Sequence, residues 1–170
     1  MYRPYRSTMV GFPYDDLDGW RAIYPAEAMA GALESLVEDW GKGISILRED
    51  PELDPRVQNG IRSERRVAVA ARAHWKSTAS QARFVMARRA YEKATDKTEA
   101  LRLLNSLRGI LLGEIRSARE LLNVCRDDSR IGFEASNQYY YLPGDLAEKI
   151  LNCRYLLEEW IEPEKKRWEG

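Results

Sequence analysis

At 170 residues the chain is long enough to bury one hydrophobic core without disulfides or metals, and short enough to be a single domain. Its 27 Lys and Arg balance 27 Asp and Glu, which excludes a net field drawing it to nucleic acid or an anionic membrane surface and leaves charged recognition to local clusters. It contains no run of about 18 apolar residues and its first residues lack the apolar centre of a secretory leader, so as written it reads as cytoplasmic, or as secreted or periplasmic if it belongs to a longer chain.

Residues 1–24 set Tyr2, Tyr5, Phe12, Tyr14, Trp20 and Tyr24 among Pro4, Gly11, Pro13 and Gly19, which predicts an extended aromatic arm with turns. Within it Asp15, Asp16, Asp18 and Gly19 imitate the start of a calcium loop. The later ligand positions and a closing glutamate are missing, which favours a capped turn, and no metal or cofactor is expected anywhere in the chain. Pro25 suits a first helical position, and Met29, Leu33, Leu36, Trp40, Ile44 and Leu47 recur at spacings of three and four, predicting a helix over 25–48. Gly41 and Gly43 weaken its last turns.

Asp54 and Pro55 are a cap and a first-turn residue for a second helix over 55–94. Its stripe of Ala68, Ala71, Trp75, Ala79, Ala82, Met86 and Ala90 is mostly small and predicts close packing. Arginines spread around its other faces read as a solvated, ion-paired surface rather than a phosphate site. The only histidine, His74, has no carboxylate at the spacing of a di-iron bundle and reads as structural.

Asp96 and Glu99 have the spacing of a capping box for a third helix over 97–126, whose core stripe is Leu101, Leu104, Leu111, Ile115, Leu122 and Cys125. Asn105, Gly109, Gly113 and Ser117 form a small-residue track whose expected partner is the alanine stripe of the second helix. A fourth helix over 143–162 carries Leu146, Ile150, Cys153, Leu157 and Trp160; Pro163 is expected to end it, leaving a frayed tail in which only Trp168 docks. Cys125 and Cys153 fall on apolar stripes at unequal distances from the shared loop and are expected to stay free thiols.

The expected fold is therefore all-α, an antiparallel bundle of about four helices in one domain spanning 1–170, with the arm along its outside and a long structured loop before the last helix. That loop, 126–142, is roughly twice the length of an ordinary helix connection and mixes rings with charges of both signs. Asp127, Asp128, Arg130, Glu134, Asn137, Tyr139 and Tyr140 in the loop, with Trp20 and Arg21 in the arm, supply the rings, carboxylates and amides that sugar binding requires. Two readings stay open: Arg126 and Arg130 neutralise the acids and the tyrosines brace helix ends, or the same groups hold a saccharide. No acid pair has a fixed separation, so no catalytic residue is assigned.

The run DDSRIGFEASNQYYY followed by DLAEKILNC, together with FPYDDLDGWRAIYPAEAM near the start, resembles the C-terminal helical region of large bacterial proteins related to glycoside hydrolases. In such proteins a barrel catalytic domain precedes the helical one, and this chain carries neither the barrel's alternating strands and helices nor its acids. The resemblance implies a non-catalytic accessory domain whose partners are carbohydrate or the catalytic domain of a parent protein. The other class left open is a protein-interaction or scaffold module using the aromatic arm and loop as its surface.

Overall fold

The computed structural model describes residues 16–21, 23–132 and 142–170, and every regular element among them is helical. They are α1 (Leu17–Trp20), α2 (Ala26–Ile44), α3 (Pro55–Tyr91), α4 (Lys97–Asp127), α5 (Pro143–Leu156), a π-helical turn (Leu157–Ile161) and α6 (Glu162–Glu169). The arm before Asp16 and the loop residues from Phe133 to Tyr141, including Glu134, Asn137, Tyr139 and Tyr140, lie outside the described residues.

The start of α3 follows from local chemistry: Asp54 accepts from the Arg56 amide at 2.7 Å, and Pro55 occupies a position that needs no donor. Asp96 likewise accepts from the Glu99 amide at 2.9 Å. The reciprocal half of that expected box is not formed. Glu99 turns outward to Arg102, at 2.7 Å, because a charged partner one turn on competes with the backbone amide. In α1 Asp16 caps Gly19 at 3.1 Å and Asp18 pairs with Arg21 and Arg89, which is the capped-turn arrangement.

Among the described residues three apolar clusters hold the helices. The largest joins Tyr91 of α3, Leu103, Leu104, Leu107 and Leu111 of α4, and Cys153 and Ile161 beyond the loop. A second joins Ala73, Ala118, Leu121, Cys125 and Leu146, and a third joins Leu17, Ala30, Ala82 and Val85. Full burial of a Leu side chain, as at Leu104 and Leu107, contributes roughly 1.5 to 3 kcal/mol. The helix α3 therefore works on two faces, with Ala70, Ala73, Phe84 and Tyr91 toward α4 and Ala82, Val85 and Met86 toward α1 and α2.

That division overturns the expected partnership between the small-residue tracks. Among the described residues a Cβ at Gly109 would meet nothing within 4 Å, and one at Gly113 would meet Arg116 Nη2 alone at 3.9 Å, so these glycines look away from α3. The alanine stripe is split as well: the Ala68 carbonyl accepts from Trp40 Nε1 at 2.9 Å, and Trp75 meets Trp40 edge-on at 4.6 Å between centroids, both toward α2. Only Ser117 of the predicted track is buried against the core.

The chain ends also depart from expectation. The helix α2 stops at Ile44 rather than 48, where Ser45 Oγ donates to the Lys42 carbonyl. Pro163 does not end the last helix. The five-residue π turn shifts the hydrogen-bond register, so Pro163 falls in the first turn of α6, where a missing N–H costs nothing. The tail continues helical to Glu169 and is pinned to the α3–α4 junction: Trp168 Nε1 donates to Tyr91 Oη at 3.1 Å, Tyr91 donates to Glu164, and Lys97 Nζ donates to the Glu169 carbonyl at 3.0 Å.

Candidate functional site

At the C-terminal end of α4 the chain turns sharply through Gly132, whose φ of 86° is left-handed backbone that only glycine adopts without strain. The residues before it fold back on themselves. Asp128 Oδ1 accepts from the Arg130 amide at 3.1 Å and from Arg130 Nε at 2.8 Å, and Asp128 Oδ2 accepts from Arg130 Nη2 at 2.5 Å. Asp128 is buried while the Arg130 side chain is 76% exposed, so the cover over the carboxylate is the arginine and its turn rather than the core. The guanidinium beside it holds the Asp128 carboxyl down to about 2, with desolvation opposing and the Arg130 amide adding to the effect.

This turn borders a hollow of about 900 Å³ whose other walls come from α3, including Ser63, Val67, His74 and Trp75. Arg130 Nη2 reaches Ser63 Oγ at 3.4 Å across it. A tryptophan, a histidine, a carboxylate–guanidinium pair and a hydroxyl thus share one concave surface. Of the residues expected to form a site, Asp128 and Arg130 are brought together here, and Asp127 is exposed in the last turn of α4 beside them.

Trp20 and Arg21 are placed elsewhere. Trp20 packs on the cluster of Leu17, Ala82 and Val85, and Arg21 donates to Asp18 at 2.8 Å and to the Tyr24 carbonyl at 2.6 Å. Asp18 in turn takes Arg89, and Arg89 and Ser63 are separated by roughly 40 Å along α3 at 1.5 Å per residue. The expected single constellation is therefore two separate places, because α3 is a continuous rod that holds them apart.

A second concavity, about 550 Å³, runs between α3 and α5 with α4 as its floor. At its centre Glu114 Oε2 accepts from Ser77 Oγ at 2.8 Å and pairs with Lys149 Nζ at 2.5 Å, while Lys149 Nζ also donates to Ser77 Oγ at 2.6 Å. Three helices are tied through one carboxylate oxygen. Glu114 Oε1 and Ser117 Oγ, both buried, have no hydrogen-bond partner among the described residues. His74 lines both concavities; although exposed overall, partial desolvation of its ring, reinforced by the Lys149 charge, lowers its pKa and keeps the imidazole neutral at pH 7.

Sequence reading missed this polar centre, yet its signal is present. Glu114 stands at the core spacing between Leu111 and Ala118, Lys149 between Leu146 and Cys153, and Ser77 between Ala73 and Phe84. Each breaks an apolar stripe on the face where three helices converge. Chemically the cluster binds rather than reacts: the Ser77 hydroxyl donates to the carboxylate, and Lys149, donating to both, offers no lone pair to take a proton from serine. The nearby Cys153 thiol is pushed up by burial and stays protonated, as does Cys125, which removes a thiolate nucleophile. Among the described residues no group of His, Cys, Asp and Glu is placed to hold a metal ion, and no helix is long and apolar enough to cross a membrane.

Comparison with protein-family models, with curated proteins and with solved structures finds no match to this chain.

Proposed function

We propose that the chain is a non-catalytic helical accessory domain associated with a carbohydrate-processing protein, and that the hollow at the end of α4 contributes to its sugar site. The observation that carries this reading is the shared surface of Trp75, His74, Ser63, Asp128 and Arg130. A pyranose presents an apolar face that stacks on an indole and hydroxyls that take donors such as the exposed Arg130 guanidinium and Ser63 Oγ. The Asp128 pairing fixes that guanidinium before any ligand arrives, which lowers the entropy cost of binding. On this reading the whole chain is one antiparallel bundle of about four helices, with the aromatic arm laid along it and the loop residues Glu134, Asn137, Tyr139 and Tyr140 completing the sugar surface. The resemblance of its end segments to the helical regions of glycoside hydrolase-like proteins supports the same class, with the catalytic chemistry supplied by the parent protein.

The test is an NMR titration of the indole N–H signals with a panel of neutral oligosaccharides, alongside Trp75→Ala and Arg130→Ala. The expected result is a saturable shift of Trp75 with at least one saccharide, lost in both variants, and no turnover of aryl glycosides by the chain alone. A panel that leaves the indole signals unmoved overturns the reading.

A scaffold role is the second reading, favoured by the outer edge of α2 and the start of α3. There, and in the connection between the two helices, Leu36, Trp40, Ile46, Leu53 and Val57 are exposed. A protein partner covering that edge would protect Trp40 and leave Trp75 insensitive to sugars.

A further inference from the structure

We propose that the groove between α3, α4 and α5 is a second ligand site, taking a neutral amphiphile with an apolar body and a hydroxyl head. The groove exists because α3 faces α5 with small side chains, Ala73, Ser77 and Ser80, where larger ones would close the gap. Its apolar lining flanks the band of Ser77, Glu114 and Lys149, with Phe84, Leu111 and Leu156 toward one end and Leu121 and Leu146 toward the other, while the exposed His74, Asp145, Glu148 and Asn152 also border it. A volume of about 550 Å³ lies inside the range of roughly 300 to 1,000 Å³ that small-molecule sites occupy.

The polar band selects the head. Glu114 and Lys149 are in contact at 2.5 Å and neutralise one another, so a carboxylate drawn to Lys149 meets Glu114, and an ammonium drawn to Glu114 meets Lys149. An uncharged head avoids both conflicts. A hydroxyl both donates and accepts, which is what the band lacks: Glu114 Oε1 is an acceptor without a donor, and Ser117 Oγ is a hydroxyl without a partner. Glu114 and Ser117 both line the groove, so a head seated there lies beside these two oxygens while Oε2 keeps Ser77 and Lys149. A buried acceptor left without a donor costs free energy that such a ligand would recover. This site shares His74 with the sugar surface beside Trp75, but its polar band is separate, and either can fail without the other.

Three probes of one chain length separate head chemistry from grease: 1-hexanol, hexanoate and hexylammonium, each titrated at pH 7 into the 15N-labelled chain. The expected result is saturable shifts at Ser77, Glu114 and Lys149 with hexanol binding about tenfold or more tighter than either ion, since each ion meets a like charge in a partly desolvated groove. Ser80→Leu, which fills the groove without touching the polar band, is expected to abolish the shifts. Glu114→Gln removes the carboxylate paired with Lys149 and is expected to reverse the order, with hexanoate overtaking hexanol at Lys149. If circular dichroism shows that Glu114→Gln does not fold, the wild-type comparison and Ser80→Leu decide alone. No binding by any probe, equal binding by all three, or shifts confined to the Trp75 hollow overturns the proposal.

Discussion

The helices α2 and α4 carry the same kind of apolar stripe, at the same spacing of three and four, and meet opposite fates. On α4 the apolar face is buried, Leu104 of the expected stripe and Leu107 beside it completely, because α3 lies on one side and α5, the π turn and α6 on the other. On α2 Ala30 alone is buried, and Leu36 and Trp40 remain more than a third exposed, since among the described residues α3 is the one long helix packed against it. The difference teaches that periodicity reports which face of a helix is apolar and says nothing about how many neighbours will cover it. The two joints also use different chemistry. The α2–α3 joint leans on surface ion pairs, Arg83 with Glu27 and Glu34, whereas the joint of α3, α4 and α5 is drawn together by one buried carboxylate.

A pair of matched truncations separates the two helices most widely. Leu104→Ala leaves a cavity in the central cluster and should cost about 2 to 5 kcal/mol, while Leu36→Ala should cost under about 1 kcal/mol, both read from urea midpoints at constant slope. Equal losses would mean that α2 is covered in solution, and would direct attention to what covers it.

Next comes the polar centre. Lys149→Met strands Glu114 and should cost about 3 kcal/mol, at the low end for a buried pair because Lys149 is itself 37% exposed. Replacing both, Glu114→Leu with Lys149→Met, should recover most of that loss. A single variant as stable as the double would show that the carboxylate is solvated and that this joint is no different in kind from the α2 edge.

The outward face of α4 offers a smaller effect of opposite sign. Gly109→Ala and Gly113→Ala should each stabilise by roughly 0.5 to 1 kcal/mol, since the added methyl has room and alanine loses less backbone entropy in a helix. A loss of stability at either site would mean that this face is packed against something other than Arg116, the one neighbour it has among the described residues.

The smallest expected effect on stability is at the α4 turn, where the readout is a titration. Asp128 folds with its carboxyl near 2 against 3.8 for the free group, chiefly through the hydrogen bonds from Arg130. Its folded value lies below the unfolded one, so its contribution is complete above about pH 4 and is lost as pH falls through 2. In Arg130→Ala the Asp128 carboxyl signal should titrate near its ordinary value, with the acid limb of stability shallower between pH 4 and 2. An unchanged Asp128 titration would show that the backbone turn, not the guanidinium, holds the carboxylate.

Several features were written in the sequence alone because they are set by neighbours in the chain. The helical class, the Asp54–Pro55 start of α3, the capped turn at Asp16, the Asp96 cap and the apolar side of α4 at Leu104, Leu111, Ile115 and Cys125 follow from contacts within four residues. Leu101 and Leu122 of the expected stripe, by contrast, are only partly buried, and Leu103, Leu107 and Leu121 take the core places. Even the Asp128–Arg130 pair, two residues apart, was legible as a pairing of opposite charges. Tertiary structure decided the rest: that α3 is sandwiched on two faces, that Gly109 and Gly113 face outward, and that the register shift of the π turn carries the chain past Pro163. It also decided that Ser77, Glu114 and Lys149 meet, and that Trp20 and Arg21 lie far from Arg130. Local propensity specifies a helix and its apolar side. Which sides meet depends on how far each helix runs before it turns and which larger side chains must be kept apart, and that is a property of the packed whole.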